Sequence, residues 1–464
     1  MDQALTTYGA VVFDDATVHD GAWVCHGTQA PYRITGTIEV PDDRILWTNV
    51  DPAIMRNDGL SARFRGADWG PIRLGEPWGS DSFAFKTSIL SELGWAQLAA
   101  HERASRMASL IDRWMAYARA FFPAVADAHK FSLAHTLRLT RPKDVIGLMS
   151  STVMQAATMA YTFGCAAERP PGAERFRVTG AMIPPRYDHA KAILSGPVPE
   201  NGCEWRRIPR SQIPRDNAEV AEWVESRGPL LLQMVVDRIT HPVAYQLLNP
   251  AGETTPEMGR RLWRTGDEAI AFSTLGEVRI NDAFEACASK VPWEEAVPPL
   301  LRGIDESLMR SSPSMGLFMT ALQKSFMVSD VHFNDKKLGY RKSPAEVFLR
   351  ARDMLICAQH AIKLHQSGAG VVWYGSSSVQ MSLPSEFEDA KRALFDASIA
   401  TGMMAPAGVM PEDGRDAAIA AAMDDAGLLR YVLMEGDPRK IEELDATLFE
   451  NIMDRVRAQS GASV

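Results

Sequence analysis

The stretch 343-SPAEVFLRARDMLICAQHAIKLHQSGAG-370 predicts a long amphipathic helix around which the rest of the chain is organised. Ser343 can cap its start, Pro344 fits the first helical position, and Glu346 can complete a capping box. Glycine commonly follows the last turn of a helix, so Gly368 and Gly370 predict its end. Steps of three and four residues place one stripe of side chains against a neighbouring element: Val347, Ala351, Leu355, Ala358, Ile362 and His365.

The composition is that of a water-soluble globular protein. A length of 464 residues fits two or three domains or one large body, and 46% of the residues are hydrophobic while 23% are charged. The formal net charge of −9 opposes a general affinity for nucleic acid or for an anionic membrane. The five cysteines lie far apart and form no C-x-x-C pair, so neither a disulfide framework nor a zinc ribbon is predicted.

Two segments bear on location. Residues 1–10 carry neither a basic segment nor an apolar run, so we expect no secretory signal and a cytoplasmic or virion protein. Residues 145–163 hold no charge but several Ser, Thr and Gln side chains, which favours a helix buried in protein over a membrane span. The sequence therefore predicts no membrane partner.

The order of the predicted elements indicates an α+β fold that is predominantly α-helical. Residues 1–86 predict a short β-rich N-terminal region, followed by a multi-helix body with a helical region over 87–250 and a helical C-terminal region over 251–464. The N-terminal region contains four short β-branched or aromatic runs, which predict strands at 8–13, 22–25, 32–38 and 44–47.

Within the body, the apolar run 230–239 predicts a central helix, and residues 260–263 predict another helix. Residues 269–280 predict an extended segment, and residues 283–289 predict a helix capped by the preceding Asn-Asp pair. The Ser385-x-x-Glu388 pattern predicts a second capping box.

Residues 165–215 predict a long excursion over the surface, because eight prolines interrupt them and arginines outnumber acidic residues. Loops of that length are commonly functional, and guanidinium groups suit the recognition of carboxylates and phosphates. The excursion is therefore the candidate binding segment for a neighbouring subunit or for nucleic acid. Its candidate binding residues are Arg175, Arg177, Arg206, Arg207 and Arg210.

The candidate catalytic residues are Asp330, His332 and Asp335, in a predicted loop. A carboxylate can orient an imidazole and fix its tautomer, as general acid–base sites require. The alternative is a solvated turn, since no partner motif at metal-ligand spacing occurs elsewhere. The Tyr-Asp-His combination at 187–189 raises the same question within the arginine-rich excursion. The sequence predicts neither a metal site nor a cofactor.

Three further features are interpreted as structural, and none of them predicts a catalytic, nucleotide-binding or metal site. The glycine-rich segment 368–378 does not fit a nucleotide-binding loop, because its first glycines end a helix and precede a strand. His360 and His365 are five residues apart and lie on different sides of the helix, which excludes a shared metal of the i, i+4 kind. We expect His365 to pack against the core, His360 to be hydrated, and Cys357 to be buried and unreactive.

Three functions from different classes are compatible with these patterns. The favoured one is a self-assembling structural or interaction protein, such as a capsid or shell subunit, because catalytic motifs are absent and the 11 Trp and 22 Met residues suit large interfaces. It predicts a homo-oligomer and a protein that is not an enzyme. The second is a hydrolase-like enzyme whose active site is assembled from distant residues. The third is a nucleic-acid-associated factor that uses the basic patch of residues 175–215.

Overall fold

The computed structural model describes residues 7–14, 21–35, 45–49, 95–121, 165–166, 178–200, 203–248, 259, 261–293, 301–327, 344–375, 377–405 and 438–461. In chain order, the strands are β1 (Gly9–Phe13), β2 (Ala22–His26), β3 (Tyr32–Ile34), β4 (Ile45–Thr48), β5 (Cys165–Ala166), β6 (Thr179–Met182), β7 (Val198–Pro199), β8 (Trp205–Arg207), β9 (Leu230–Ile239), β10 (Arg261–Thr265), β11 (Gly276–Ala286), β12 (Ser289–Lys290), β13 (Val371–Gly375) and β14 (Ser378–Ser382). The helices are α1 (Ala100–Phe121), α2 (Arg186–Leu194), α3 (Val220–Glu225), α4 (Pro242–Tyr245), α5 (Gly266–Leu275), α6 (Glu306–Ser311), α7 (Pro313–Met327), α8 (Pro344–Gln366), α9 (Phe387–Thr401) and α10 (Pro438–Gly461).

The N-terminal sheet has the strand order β3-β2-β1-β4. β1 pairs antiparallel with β2 and parallel with β4, and β2 pairs antiparallel with β3. The short runs of β-branched and aromatic residues therefore form strands, but β3 is shorter than the predicted 32–38, since it ends at Ile34 and residues 36–38 lie outside the described ranges. Helix α1 packs on this sheet and buries Met107, Ile111 and Trp114.

The second sheet is antiparallel, with the order β10-β9-β11-β8, and it corrects the prediction of a helix over 230–239. β9 lies between two partner strands, and most of its side chains are buried on both faces. A continuous apolar run is compatible with a buried helix or a buried strand, because it shows neither period. The strand pairs on both sides of β9 are contacts that the sequence pattern does not reveal.

The neighbouring predictions are wrong in the same region. Residues 269–280 were expected to be extended, but α5 occupies them up to Leu275, and Thr265 and Glu268 form a capping box at its start. Residues 283–289 were expected to be helical, but β11 continues through Ala286. The predicted helix at 260–263 is strand β10 from Arg261 onward. Asp282, read as a helix cap, accepts hydrogen bonds from Arg207 instead.

The third sheet has the order β5-β13-β14-β6, and β13 and β14 form a hairpin. Gly368, with φ of 90°, follows the end of α8 and precedes β13, as predicted from the glycine-rich segment. β7 and β12 form a separate two-stranded pair.

The described part of the excursion over 165–215 is not a surface loop, which corrects that prediction. It contains β6, helix α2, β7 and β8, and α2 buries Tyr187, His189, Ile193 and Leu194. Several of its prolines stand next to the ends of these elements: Pro184 and Pro185 precede α2, Pro197 precedes β7 and Pro209 follows β8.

Two clusters of buried side chains form the hydrophobic core, and α8 contributes to both. Its N-terminal half places Val347, Phe348 and Leu349 among α1, α2, α7 and α10. Its C-terminal half places Met354, Cys357, Ala358, Ala361 and Leu364 against the second and third sheets. The long helix is therefore confirmed over Pro344–Gln366, and it connects the two clusters.

The capping box predicted from Ser385 and Glu388 does not form. α9 begins at Phe387, its N-cap residue is Glu386, and no side chain accepts a hydrogen bond at that cap.

The structure is a mixed α+β fold in which the sheets are largely antiparallel, so the predicted class is confirmed in this coarse form. The second sheet takes strands from both sides of residue 250. The division into 1–86, 87–250 and 251–464 stays a prediction.

Several expectations fall on residues outside the described ranges. They are the uncharged helix over 145–163, the candidate catalytic residues Asp330, His332 and Asp335, and the candidate binding residues Arg175 and Arg177. Among the helices that the structure does describe, none combines the length and the apolar character needed to cross a membrane.

Candidate functional site

Four exposed arginines lie on β8 and the segment that follows it: Arg206, Arg207, Arg210 and Arg215. We call them the arginine edge, because β8 is an edge strand that pairs only with β11 in the described sheet. Ile208 and Ile213 are 3% and 8% exposed, so they anchor the segment in the second core cluster. The segment is therefore held in place while its guanidinium groups face solvent.

Arg206 and Arg207 are paired with carboxylates of β11. Arg206 donates from Nε and Nη2 to Glu285 Oε2 at 2.8 and 2.5 Å, and Arg207 donates to both oxygens of Asp282 at 2.9 and 2.7 Å. Both arginine side chains are nevertheless 65% exposed. A guanidinium has five N–H donors, so donors remain for a further anion, although the charge is partly neutralised.

Arg210 and Arg215 differ from this pair. Both are exposed, and within the described residues no carboxylate lies within ion-pair distance of either. Arg210 begins a short 3-10 turn that the Ile213 N–H closes onto the Arg210 carbonyl. These two guanidinium groups can therefore bind a phosphate without loss of an ion pair to any carboxylate that the structure describes.

A second group of polar residues is buried at the junction of the two core clusters. His189 Nε2 lies 2.7 Å from Asp353 Oδ1, with side-chain exposures of 3% and 5%. Ser377, in the turn of the β13–β14 hairpin, donates to the same oxygen from its backbone N at 2.9 Å and from Oγ at 3.2 Å. Gln323 of α7 donates to Ser377 Oγ at 3.3 Å. We call these residues, together with Cys357 and His360, the polar junction.

Ser377 owes its position to an unusual backbone conformation. Its φ of 64° lies in the left-handed region, which a tight hairpin turn requires at this position. Helix α8 thereby receives three hydrogen bonds at Asp353, one from α2 and two from the hairpin. The junction fastens three elements to one another.

Cys357 and His360 lie one and two turns beyond Asp353 on α8. Burial raises the pKa of the Cys357 thiol well above its usual range, and the Asp353 charge adds to that effect. Burial lowers the pKa of His360 to about 4, with a further contribution from His189. The thiol is therefore protonated and a poor nucleophile, in agreement with the sequence analysis.

The expectation for the two histidines of α8 is wrong. His365 is exposed, whereas His360 is largely buried. The buried face of α8 passes through Cys357, Ala361 and Leu364, so a stripe drawn from the first turns of the helix drifts off the core by the last turn.

The Tyr-Asp-His combination at 187–189 is divided by the fold. Tyr187 is buried and packs edge-on against Trp293, Asp188 accepts a hydrogen bond from Arg310 Nε at 2.8 Å, and only His189 enters the polar junction. Sequence reasoning missed Asp353 and Ser377 as its partners. His189 and Asp353 are 164 positions apart, and no local pattern connects them.

Comparison with known proteins gives little beyond this geometry. No family model and no curated protein matches the chain. Solved structures that resemble it are of Phi29 DNA polymerase with primer-template DNA and incoming nucleotides (TM-score 0.33), with primer-template DNA alone (0.31) and with single-stranded DNA (0.31), each 10% identical. They cover 68%, 81% and 64% of this chain. This chain spans 53%, 65% and 54% of the respective polymerase chains, and TM-scores at this level do not establish a shared fold.

The prediction of a capsid or shell subunit, with its implied structural and virion role, is wrong. The solved structures that resemble this chain are of a DNA polymerase and not of a capsid or shell protein. The predicted homo-oligomer finds no support in the structure or in these comparisons.

Proposed function

We propose that this chain is a nucleic-acid-associated factor that contacts the phosphate backbone through the arginine edge. The observation that carries the proposal is the exposure of four arginines within ten residues of an anchored edge segment, two of them without a carboxylate partner in the described part of the chain. Arginine is suited to this contact because its planar fork can donate two hydrogen bonds to one phosphate.

The acidic balance of the chain restricts the contact to this edge. With a net charge of −9, the protein as a whole repels a polyanion, so affinity must come from the few places where cations are exposed. Phosphate contacts of this kind do not depend on base sequence, and their strength falls with salt. The proposal therefore concerns a backbone-binding surface and does not specify a sequence.

The experiment measures binding of the full-length protein to fluorescently labelled single-stranded and primer-template DNA at low salt. In the test variant, Arg210→Glu and Arg215→Glu are combined, because these changes break no internal ion pair of the described structure. We expect the dissociation constant to rise roughly tenfold or more for both DNAs, since two phosphate contacts are lost.

The matched control combines Arg261→Glu and Arg302→Glu. Arg261 is an exposed residue of β10, at the opposite edge of the same sheet, and Arg302 is an exposed residue that precedes α6. This control carries the same net charge as the test variant and should bind almost as wild type does. Equal loss of binding in both variants would show that only net charge matters and would refute the arginine edge as the site.

A further inference from the structure

The polar junction contains more potential metal-ligand atoms than its hydrogen bonds use. His189, Asp353 and Cys357 each place one potential ligand atom within 4.8 Å of the other two, and all three residues are buried. Cys357 Sγ lies 3.8 Å from Asp353 Oδ1. A nitrogen, an oxygen and a sulfur donor thus converge at one buried point.

Two imidazole nitrogens of the polar junction, His189 Nδ1 and His360 Nδ1, are buried and have no hydrogen-bond partner among the described residues. Of these two rings, only His189 places a potential ligand atom in the cluster with Asp353 and Cys357. Buried polar atoms are normally hydrogen-bonded, so an unpartnered imidazole nitrogen beside this cluster points to a ligand.

Helix geometry brings the two α8 ligands together. Asp353 and Cys357 are four residues apart, so they lie on the same face of the helix. His189 faces them from α2. The Asp353 carboxylate is oriented by Ser377, and Gln323 in turn holds Ser377, which is the kind of outer hydrogen bonding that fixes ligands at metal sites.

We propose that His189, Asp353 and Cys357 form a buried three-residue site for a divalent transition-metal ion of the zinc type, with a water molecule in the fourth position. One N, one O and one S donor suit tetrahedral zinc, whose bonds of about 2.0–2.3 Å place ligand atoms about 3.3–3.8 Å apart. The Cys357–Asp353 separation already agrees with this, whereas the His189–Asp353 pair has to open by about 0.6 Å if both bind through the atoms now in contact.

Charge balance is favourable for such an ion. A dication with one thiolate, one carboxylate and one neutral imidazole sums to zero, so no net charge is left in the core. On binding, the S–H bond of Cys357 breaks and a sulfur–metal bond forms, while the thiol proton passes to solvent. No electron is transferred, and no other reactant is needed.

The test uses Co²⁺ as a spectroscopic probe on full-length protein carrying Cys203→Ser and Cys287→Ser, which removes the two thiols that are partly or fully exposed among the cysteines whose side chains the structure describes. The protein is stripped with a chelator and titrated with Co²⁺, both in the native state and during refolding from urea, because the site is closed to solvent. We expect one equivalent of Co²⁺ to bind, with thiolate-to-cobalt charge-transfer absorption and the visible bands of tetrahedral cobalt.

Two variants locate the site. Cys357→Ser should abolish the charge-transfer absorption, and His189→Gln should weaken Co²⁺ binding by at least about tenfold. The matched control is Cys25→Ser, since Cys25 is an equally buried thiol in the other core cluster, and this variant should retain the full signal. Absence of the charge-transfer absorption in both the native and the refolded parent, or its persistence in Cys357→Ser, would overturn the proposal.

Discussion

At the scale of single residues, Asp353 is a buried carboxylate that depends on several hydrogen-bond donors. It is 4% exposed, and its Oδ1 accepts hydrogen bonds from His189 and from both donors of Ser377. A buried carboxylate with this many donors is stabilising only while its partners are present, because each donor left alone in the core loses its hydrogen bond without regaining water.

Replacement of Asp353 by alanine tests that dependence. Asp353→Ala leaves the His189 ring and the Ser377 N–H and hydroxyl without their acceptor, so we expect the free energy of unfolding to fall by about 3–5 kcal/mol. Urea denaturation followed by circular dichroism measures it. Asp389→Ala, at an exposed acid of α9, is the control and should change stability by less than about 0.5 kcal/mol. A loss at Asp353 as small as the control's would show that the junction contributes little.

Through Glu268, the free energy of unfolding should depend on pH with a sign opposite to that produced by a typical surface carboxylate. Burial raises the pKa of Glu268 above its ordinary value of 4.5, while Arg264 and the Thr265 donors oppose that shift. The folded state therefore binds more protons than the unfolded state once the pH passes 4.5. The stability contributed by this group is present at lower pH and is lost as the pH rises through its folded pKa.

The measurement compares wild type with Glu268→Gln, an isosteric change that removes the titrating group. The difference in unfolding free energy, wild type minus variant, should decrease as the pH is raised from 4.5 towards neutrality. All other groups titrate alike in both proteins, so they cancel. A difference that increases with pH would mean that Arg264 outweighs burial at this site.

At the scale of elements, the local signals at the two ends of α8 predicted that helix correctly. Pro344 and the glycines at 368 and 370 fix the limits of α8 because caps and terminators act over a few residues. The strands of the second sheet could not be predicted in this way. β9 is apolar on both faces, and Asp282 resembles a helix cap until its partner Arg207, which is distant in sequence, is known.

The candidate site was likewise predicted only in part. Arg206, Arg207 and Arg210 follow from local composition, and the structure places them on one exposed segment. Their pairing with Glu285 and Asp282 and the approach of His189 to Asp353 depend on the order of strands and helices in space. That spatial order cannot be predicted from a single sequence by local patterns.

The capping box of α5 yields an element-scale prediction. The Thr265 side chain accepts from Glu268 N–H, and Glu268 Oε2 accepts from the Thr265 N–H at 2.8 Å. Thr265→Ala should therefore lower the free energy of unfolding by about 1–2 kcal/mol in urea denaturation. Thr274→Ala, near the exposed end of the same helix, removes only a hydroxyl bond to Ile270 and should have a smaller effect. Equal effects at both positions would refute the importance of the cap.

At the scale of the whole molecule, α8 makes the two core clusters interdependent. One half of this helix packs in the first cluster and the other half in the second, with the polar junction between them. A helix is a rigid connector because each turn is hydrogen-bonded to the next. Loss of packing at one end of α8 is therefore expected to weaken the packing at its other end.

Phe348→Ala tests this coupling. Phe348 is 2% exposed in the first cluster, and its truncation should cost about 3–5 kcal/mol. Hydrogen exchange measured by mass spectrometry should then show faster exchange in β9 of the second cluster as well as in α1 of the first. Phe387→Ala is the control, because Phe387 is 72% exposed and its loss should leave both regions unchanged. Faster exchange confined to α1 would indicate two independent clusters.

The nucleic-acid proposal is also a statement about the whole molecule, since an acidic protein binds a polyanion through one local surface. The most direct measurement is the salt dependence of DNA binding by the full chain. We expect the logarithm of the association constant to fall linearly with the logarithm of salt concentration, and the combined Arg210→Glu and Arg215→Glu variant to have a slope smaller by about 1.4–1.8. Absence of binding at low salt, or an unchanged slope in that variant, would contradict the account.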